Sequence, residues 1–520
     1  MKKQSFIIGA LIISVGGIVS KVLGAFYRIP LANFLGGQGM GIYQMVYPLY
    51  CLLLTVSATG IPSGLARLVA QAETSGKSSL AVLRRALILF SVIGLAGSAL
   101  MYLLAPFMSA AQGERLALSS YRMLAPSVFF VSVISCFRGY FQGKSNFLPT
   151  ALSEIFEQIV KIALGLWFAV RFASDPVKGV SYTLLAVTVS EVATALGMAV
   201  FFFFSDRKKN KPLFSEERGS LSVLSLLSVT LPVTLAAGIL PLSAILDSII
   251  IVNFLPAGEV SATSLYGLFS GGALTLVNLP VSVCYGLAAA SVPLISSLFT
   301  SGKVAEGEKK SVFALKCTFF IAIPAAIFLF LFSGEVSALL FPSVGGREGE
   351  ILAGLVKILS VTAVLHAATQ TFSACLTGKG KAKIAAASMA CAVAVKLAAE
   401  FFLVRIPSVG IFGAAIAAIC CYFVAFAVDL VYIIRDKNNF KRIAVQFFAF
   451  FAAALVAAGT AYLIPFDGAV LHLAVTCAVY LAVCFGCRLI TLQELGLFRR
   501  KYNDNRSRVG MLPLRSFGRR

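Results

Sequence analysis

The chain has 520 residues, of which 59% are hydrophobic and only 13% charged, with a mean hydropathy of +0.91 and a formal net charge of +22. Water-soluble domains carry roughly 25% charged residues, so this composition excludes a cytosolic enzyme, a secreted disulfide scaffold and a disordered tail protein. The Lys and Arg surplus sits in short segments between long apolar blocks, a pattern that membrane topology explains better than nucleic-acid binding.

A membrane-spanning helix needs about 20 apolar residues. On that basis the sequence predicts an all-α polytopic membrane protein with fourteen spans. They lie near 5–28, 42–68, 84–108, 117–140, 148–172, 180–204, 222–252, 264–298, 311–340, 351–376, 383–404, 410–434, 443–464 and 469–492. The first block runs past Lys21 to Tyr27 without a small-residue cleavage pattern, so it reads as a retained span rather than a signal peptide.

One alternate set of connecting segments holds Lys2 and Lys3, Lys77 with Arg84 and Arg85, Arg138 with Lys144, and the Arg207–Arg218 cluster. The same set continues through Lys303–Lys310, Lys379–Lys383, Arg435–Arg442 and the tail beyond Arg499. The other set holds only Arg115, Arg171, Lys178, Arg347 and Arg405. That bias orients both termini toward the cytoplasm. The basic tail suits anionic headgroups.

Short echoes indicate an internal duplication. Ser75-Gly76-Lys77 returns as Ser301-Gly302-Lys303, an offset of 226 that also sets Gly41 on Gly267, Gly60 on Gly286 and Pro30 on Pro256. Gly143-Lys144 returns as Gly378-Lys379 with an offset of 235, at which Lys161 meets Lys396. The expected organisation is therefore two parallel six-helix lobes. These are an N-lobe over 1–204, a cytoplasmic linker over 205–221 and a C-lobe over 222–436. Spans 13–14 follow over 437–498, and a basic tail over 499–520.

Ionisable groups in a bilayer are costly and mark candidate functional positions. Lys21 and Arg28 lie in span 1, and the 226 offset places Lys21 on Asp247 of span 7. Lys21 sits deep enough to face a hydrated cavity, whereas Arg28 either joins it or snorkels to the outer headgroups. Asp247 either serves the cavity or is a structural anion paired across the lobes with Lys21. In span 5, Glu154, Glu157 and Lys161 share one helical face, with Glu157 and Lys161 at i, i+4; Lys396 and Glu400 repeat that spacing in span 11. Both pairs suit mutual neutralisation or a part in transport. Glu191 and His366 suit proton or Na⁺ carriage, or plain hydrogen bonding between helices. Arg67, Lys316 and Asp429 fall near predicted cytoplasmic ends and read as interface residues.

The eleven cysteines mostly lie inside apolar runs, and the lone CxxC at Cys484–Cys487 has no second pair, so neither a metal nor any other cofactor is expected. There is no GxxxxGK[ST] phosphate loop, no nucleophile–base constellation and no sizeable soluble segment. A carrier is what these exclusions leave.

The opening ISVGGIVSKVLGAFYRIPLANFLGGQGMGIYQMVYPLY, the TGIPSGLARLVA end of span 2, RGYFQG after span 4 and PTALSEIFEQIVK in span 5 resemble the stage V sporulation protein B family. That family belongs to the polysaccharide-transporter branch of the multidrug/oligosaccharidyl-lipid/polysaccharide exporter superfamily. The resemblance implies two six-helix bundles around a V-shaped cavity. It also implies a flippase for polyprenyl-pyrophosphate-linked oligosaccharides such as lipid II, active as a monomer on membrane lipid and not on nucleic acid. Related lipid II flippases use basic residues of span 1, which places Lys21 and Arg28 in the matching region. They also carry arginine in the middle of span 2, where this chain has Leu52-Leu53-Leu54. Two other classes stay open: a drug/cation antiporter coupled through Glu191 or Asp247, and a non-transporting scaffold for envelope synthesis.

Overall fold

The computed structural model describes residues 6–55, 61–76, 78–206, 238–433, 437–464 and 468–490. The predicted linker 205–221 lies almost wholly outside these residues, as do the first part of span 7 and the basic tail. The described chain is built of helices, with no strand among the described residues.

In chain order the helices are α1 (Phe6–Leu54), α2 (Ile61–Thr74), α3 (Ser79–Ala111), α4 (Leu118–Leu124), α5 (Ser127–Gly143), α6 (Leu148–Arg171) and α7 (Pro176–Asp206). Next come α8 (Ile239–Phe254), α9 (Ala262–Tyr266), α10 (Leu274–Thr300), α11 (Val304–Leu331), α12 (Ser333–Leu340) and α13 (Gly346–Gly378). The chain closes with α14 (Ala382–Leu403), α15 (Phe412–Ile433), α16 (Lys437–Leu463) and α17 (Ala469–Gly486). A π-helical turn, Gly267–Ala273, joins α9 to α10.

Eleven helical stretches among the described residues are long and apolar enough to cross a membrane, fewer than the fourteen expected, and the difference has local causes. Spans 1 and 2 run together as α1, which breaks only at Gly36, where φ is 65° and ψ −176°. A side chain rarely tolerates that left-handed φ. Expected span 5 is the helix α6, but Glu154, Glu157, Lys161 and Arg171 dilute its apolarity. Of expected span 7, the described residues hold the 16-residue α8.

Local chemistry sets several helix starts. The Ser78 hydroxyl accepts from Ala81 N at 3.3 Å to cap α3, and Ser261 accepts from Ser264 N at 3.1 Å to cap α9. Each satisfies an amide that the helix leaves unpaired. Pro149 opens α6, where its missing N–H has no intrahelical partner to lose.

The two halves repeat a packing contact. A Cβ on Gly143 would meet Val69 Cβ at 2.6 Å, and one on Gly378 would meet Ile295 Cβ at 3.0 Å. Val69 and Ile295 are related by the 226 offset, Gly143 and Gly378 by the 235 offset, and small residues let helices approach closely in lipid. The last two helices dock on the second half: Phe319, Phe450 and Tyr480 share one buried cluster, and Tyr480 Oη donates to Phe320 O at 3.0 Å.

The halves meet along one seam. Asn33 Nδ2 donates to Leu340 O at 2.8 Å and Ser343 Oγ to Asn33 Oδ1 at 2.8 Å. Thr263 Oγ1 donates to Glu114 Oε2 at 2.8 Å, and Asn253 Nδ2 to Ala111 O at 2.8 Å. At its centre Gln112, fully buried, donates through Nε2 to Met45 O at 3.1 Å and to Ser248 Oγ at 2.8 Å. Tyr121 Oη supplies Gln112 Oε1 with a donor at 2.6 Å. All of these residues lie toward the end of the bundle that carries the 28–42, 108–117, 252–264 and 340–351 connections.

Candidate functional site

Each half contains an intramembrane lysine with carboxylates around it, the buried Lys161 on α6 and the half-buried Lys396 on α14, the pair matched by the 235 offset.

In the first half the lysine does not pair with its helical neighbour. Glu157 Oε2 instead accepts from Arg138 Nη2 of α5 at 3.0 Å, while Arg138 Nε donates to Ser153 Oγ at 2.9 Å. Arg138, read from sequence as a loop cation, is thus a half-buried anchor between α5 and α6. Glu191 on α7 is buried at 2% exposure and accepts from Tyr50 Oη at 3.2 Å through Oε1, with no donor for Oε2. Lys161, itself 7% exposed, is within electrostatic reach of Glu157, Glu191 and Arg28.

Arg28 is half-buried on α1 and is within electrostatic reach of Tyr43, Tyr47 and Cys51. No carboxylate among the described residues comes within ion-pair distance of it. Tyr43, Tyr47 and Tyr50 form a ladder with ring centroids 5.4 Å apart at each step. Its i, i+4, i+7 spacing was readable as one helical face, but nothing in the sequence aimed that face at Arg28. Lys21 lies on α1, with its side chain outside the described residues.

In the second half Asp247 Oδ2 pairs with Lys396 Nζ. This pairing lies within one half, so Lys396 of α14 holds the anion for which Lys21 was considered. Glu400 is fully buried; neither of its carboxyl oxygens, nor Asp247 Oδ1, receives a donor. Glu400 is within electrostatic reach of both Asp247 and Lys396. Two buried carboxyls therefore face one ammonium, an excess of acidic over basic groups at this point of the core.

His366 on α13 does not join either lysine. Its Nδ1 lies 3.2 Å from Asn278 Oδ1 of α10 and its Nε2 3.0 Å from Gln370 Nε2, with its ring stacked on Tyr422 of α15 at 4.2 Å. Asp429, expected at an interface, is fully buried and accepts from Ser388 Oγ at 2.7 Å and Ser373 Oγ at 3.4 Å. It ties α13, α14 and α15 together. A separate apolar cavity of about 620 Å³ opens between α11, α13, α15 and α16, lined by residues including Phe319, Phe330, Leu365, Phe426 and Phe447.

A polytopic helical bundle with ion pairs between its apolar helices is the build of a multi-pass membrane protein. Solved structures share this fold. One is an inward-facing multidrug resistance MATE family transporter of the MOP superfamily, at TM-score 0.69 and 19% identity, covering 85% of this chain and 99% of that one. Another is the lipid II flippase MurJ in an inward closed conformation, at TM-score 0.68 and 13% identity, covering 95% and 99%. The sequence profile of the polysaccharide biosynthesis protein family matches residues 7–299. Stage V sporulation protein B of Bacillus subtilis (strain 168) is 30% identical over 81% of this chain and 82% of its own length. The lipid II flippase MurJ of the same organism is 24% identical over 84% of each. The chain belongs to the polysaccharide biosynthesis protein family.

Proposed function

We propose that this protein is a flippase that carries a polyprenyl-pyrophosphate-linked oligosaccharide from the inner to the outer leaflet of the bacterial plasma membrane. It works by alternating access, for cell-wall or polysaccharide synthesis, and lipid II is the substrate named for one relative, the flippase MurJ. The observation that carries the reading is Arg28: a half-buried intramembrane cation among tyrosines, without a carboxylate in ion-pair range among the described residues, is matched to an anionic ligand. Lys21, two turns away on the same helix, adds a second cation. The apolar cavity beside α16 suits the prenyl chain, which stays in hydrocarbon while the pyrophosphate crosses.

With both termini cytoplasmic, the hydrogen-bonded seam lies at the outer face, and the conformation described is closed to the outside. Rocking of the two halves about the seam exposes the site alternately. Moving an anion outward across an inside-negative membrane gains about 2.3 kcal/mol per charge per 100 mV, so the cycle needs no nucleotide. The monomer is the working unit.

The donor-poor carboxyl pair Asp247–Glu400 favours a second reading, a cation-coupled antiporter of the same superfamily. Translocation of lipid II in proteoliposomes, scored by headgroup accessibility at the outer leaflet with and without an imposed potential, separates the two. Protein-dependent, potential-sensitive movement supports the flippase. No lipid movement together with pH-driven efflux of small cations supports the antiporter.

A further inference from the structure

The polar cluster around His366 has bonding capacity left over and lies beside the apolar cavity. One neutral tautomer satisfies both ring contacts: Nδ1–H donates to Asn278 Oδ1, and Nε2 accepts from Gln370 Nε2–H. That leaves the Asn278 amide nitrogen as a donor and Gln370 Oε1 as an acceptor. Neither is satisfied by protein and neither is enclosed as a buried orphan. All four side chains, Asn278, His366, Gln370 and Tyr422, are half-buried.

Two neighbourhoods place the cluster. Leu365, adjacent to His366, and Phe426, one turn from Tyr422, line the apolar cavity. On its other side Tyr422 is within electrostatic reach of Lys396. The cluster thus bridges the apolar cavity and the charged core of the second half. Thr369 Oγ1, donating to Tyr422 O at 3.5 Å, ties α13 to α15 beneath it.

A stacked imidazole–phenol pair flanked by one free amide donor and one free amide acceptor matches the chemistry of a pyranose. The sugar offers a C–H face to aromatic rings and hydroxyls that both donate and accept. We propose that Asn278, His366, Gln370 and Tyr422 form a saccharide subsite for the glycan headgroup. The proposal rests on the flippase reading for its ligand, since that reading supplies a glycan joined to a prenyl chain.

The test compares binding of two probes to the purified protein in detergent: undecaprenyl pyrophosphate and the same lipid bearing a disaccharide. Wild-type protein is expected to bind the glycosylated lipid at least about tenfold more tightly, one tenfold step corresponding to roughly 1.4 kcal/mol. Asn278→Leu, Gln370→Leu and Tyr422→Leu each erase that preference, with the loss confined to the glycosylated probe. No preference in the wild type, or equal loss for both probes in every variant, overturns the subsite. A preserved preference without translocation in proteoliposomes upholds the subsite and removes the flippase reading.

Discussion

Gly41 and Gly267 pack into the seam as each other's counterpart. A Cβ on Gly41 would fall 2.1 Å from Thr263 O, and a Cβ on Gly267 would fall 2.2 Å from Gly37 O. Thr263 stands to Gly37 as Gly267 stands to Gly41, at the same offset of 226, and Gln44 Nε2 donates to Ser270 O at 3.4 Å across that same separation. The contacts are those of a local two-fold axis between the halves. Because the clashing atoms are backbone carbonyls, neither glycine has a cheap replacement. Gly41→Ala or Gly267→Ala is expected to cost about 1–3 kcal/mol and to open the seam. Thermal unfolding of the purified protein would check this; an unchanged midpoint in both variants contradicts it.

Gln112 tests the polar part of the same seam. Gln112→Leu removes the acceptor for Tyr121 Oη and the donor to Ser248 in a fully buried position, an expected loss of about 1–3 kcal/mol. On opening, these groups gain water instead, so the variant favours the conformation open to the outside. Reaction of a single cysteine placed at Thr263, a buried seam position, with a membrane-impermeant maleimide, in a background without the native cysteines, should rise in Gln112→Leu.

The Asp247–Lys396 pair makes a reversal experiment possible. Lys396→Met leaves two buried carboxyls without a cation and is expected to cost about 3–5 kcal/mol. The double variant Lys396→Met/Asp247→Asn removes the stranded charge and should recover most of that loss. Stability of the single and double variants measured together decides it. Additive losses would show that the pair is not an isolated unit.

Glu400 separates a proton carrier from a structural acid. Glu400→Gln keeps the shape and a permanent donor but holds no titratable proton. If the Asp247–Glu400 pair couples transport to protons, the variant folds normally while its translocation loses sensitivity to an imposed pH gradient. Retained sensitivity assigns the pair to structure alone.

Span 1 carries the anion prediction. Arg28→Gln and Lys21→Ala should each abolish or slow lipid translocation by tenfold or more, a loss of at least about 1.4 kcal/mol, while leaving insertion intact. Proteoliposome flux beside a melting curve measures both, and wild-type flux in the two variants would remove the cation site from span 1.

Helix placement was largely legible because burial in lipid is a one-dimensional property of the chain. Expected span 5 at 148–172 became Leu148–Arg171, and span 6 at 180–204 lies within Pro176–Asp206. The i, i+4 spacing of Glu157 with Lys161 was also correct as geometry, yet it named the wrong partner, since Arg138 on a neighbouring helix competes successfully for the carboxylate.

By itself the sequence determined a helical membrane transporter, its repeated glycines and lysines, and the family to which it belongs. Hydropathy, residue spacing and motif order are all carried along the chain. Only the tertiary structure decided that Asp247 meets Lys396 at a separation of 149 residues, that Arg138 is an anchor rather than a loop charge, and that Asn278 and Tyr422 converge on His366. Those pairings depend on how helices rotate and cross. A buried charge takes whichever partner the packing brings within a few ångströms, and helix spacing supplies candidates without choosing among them.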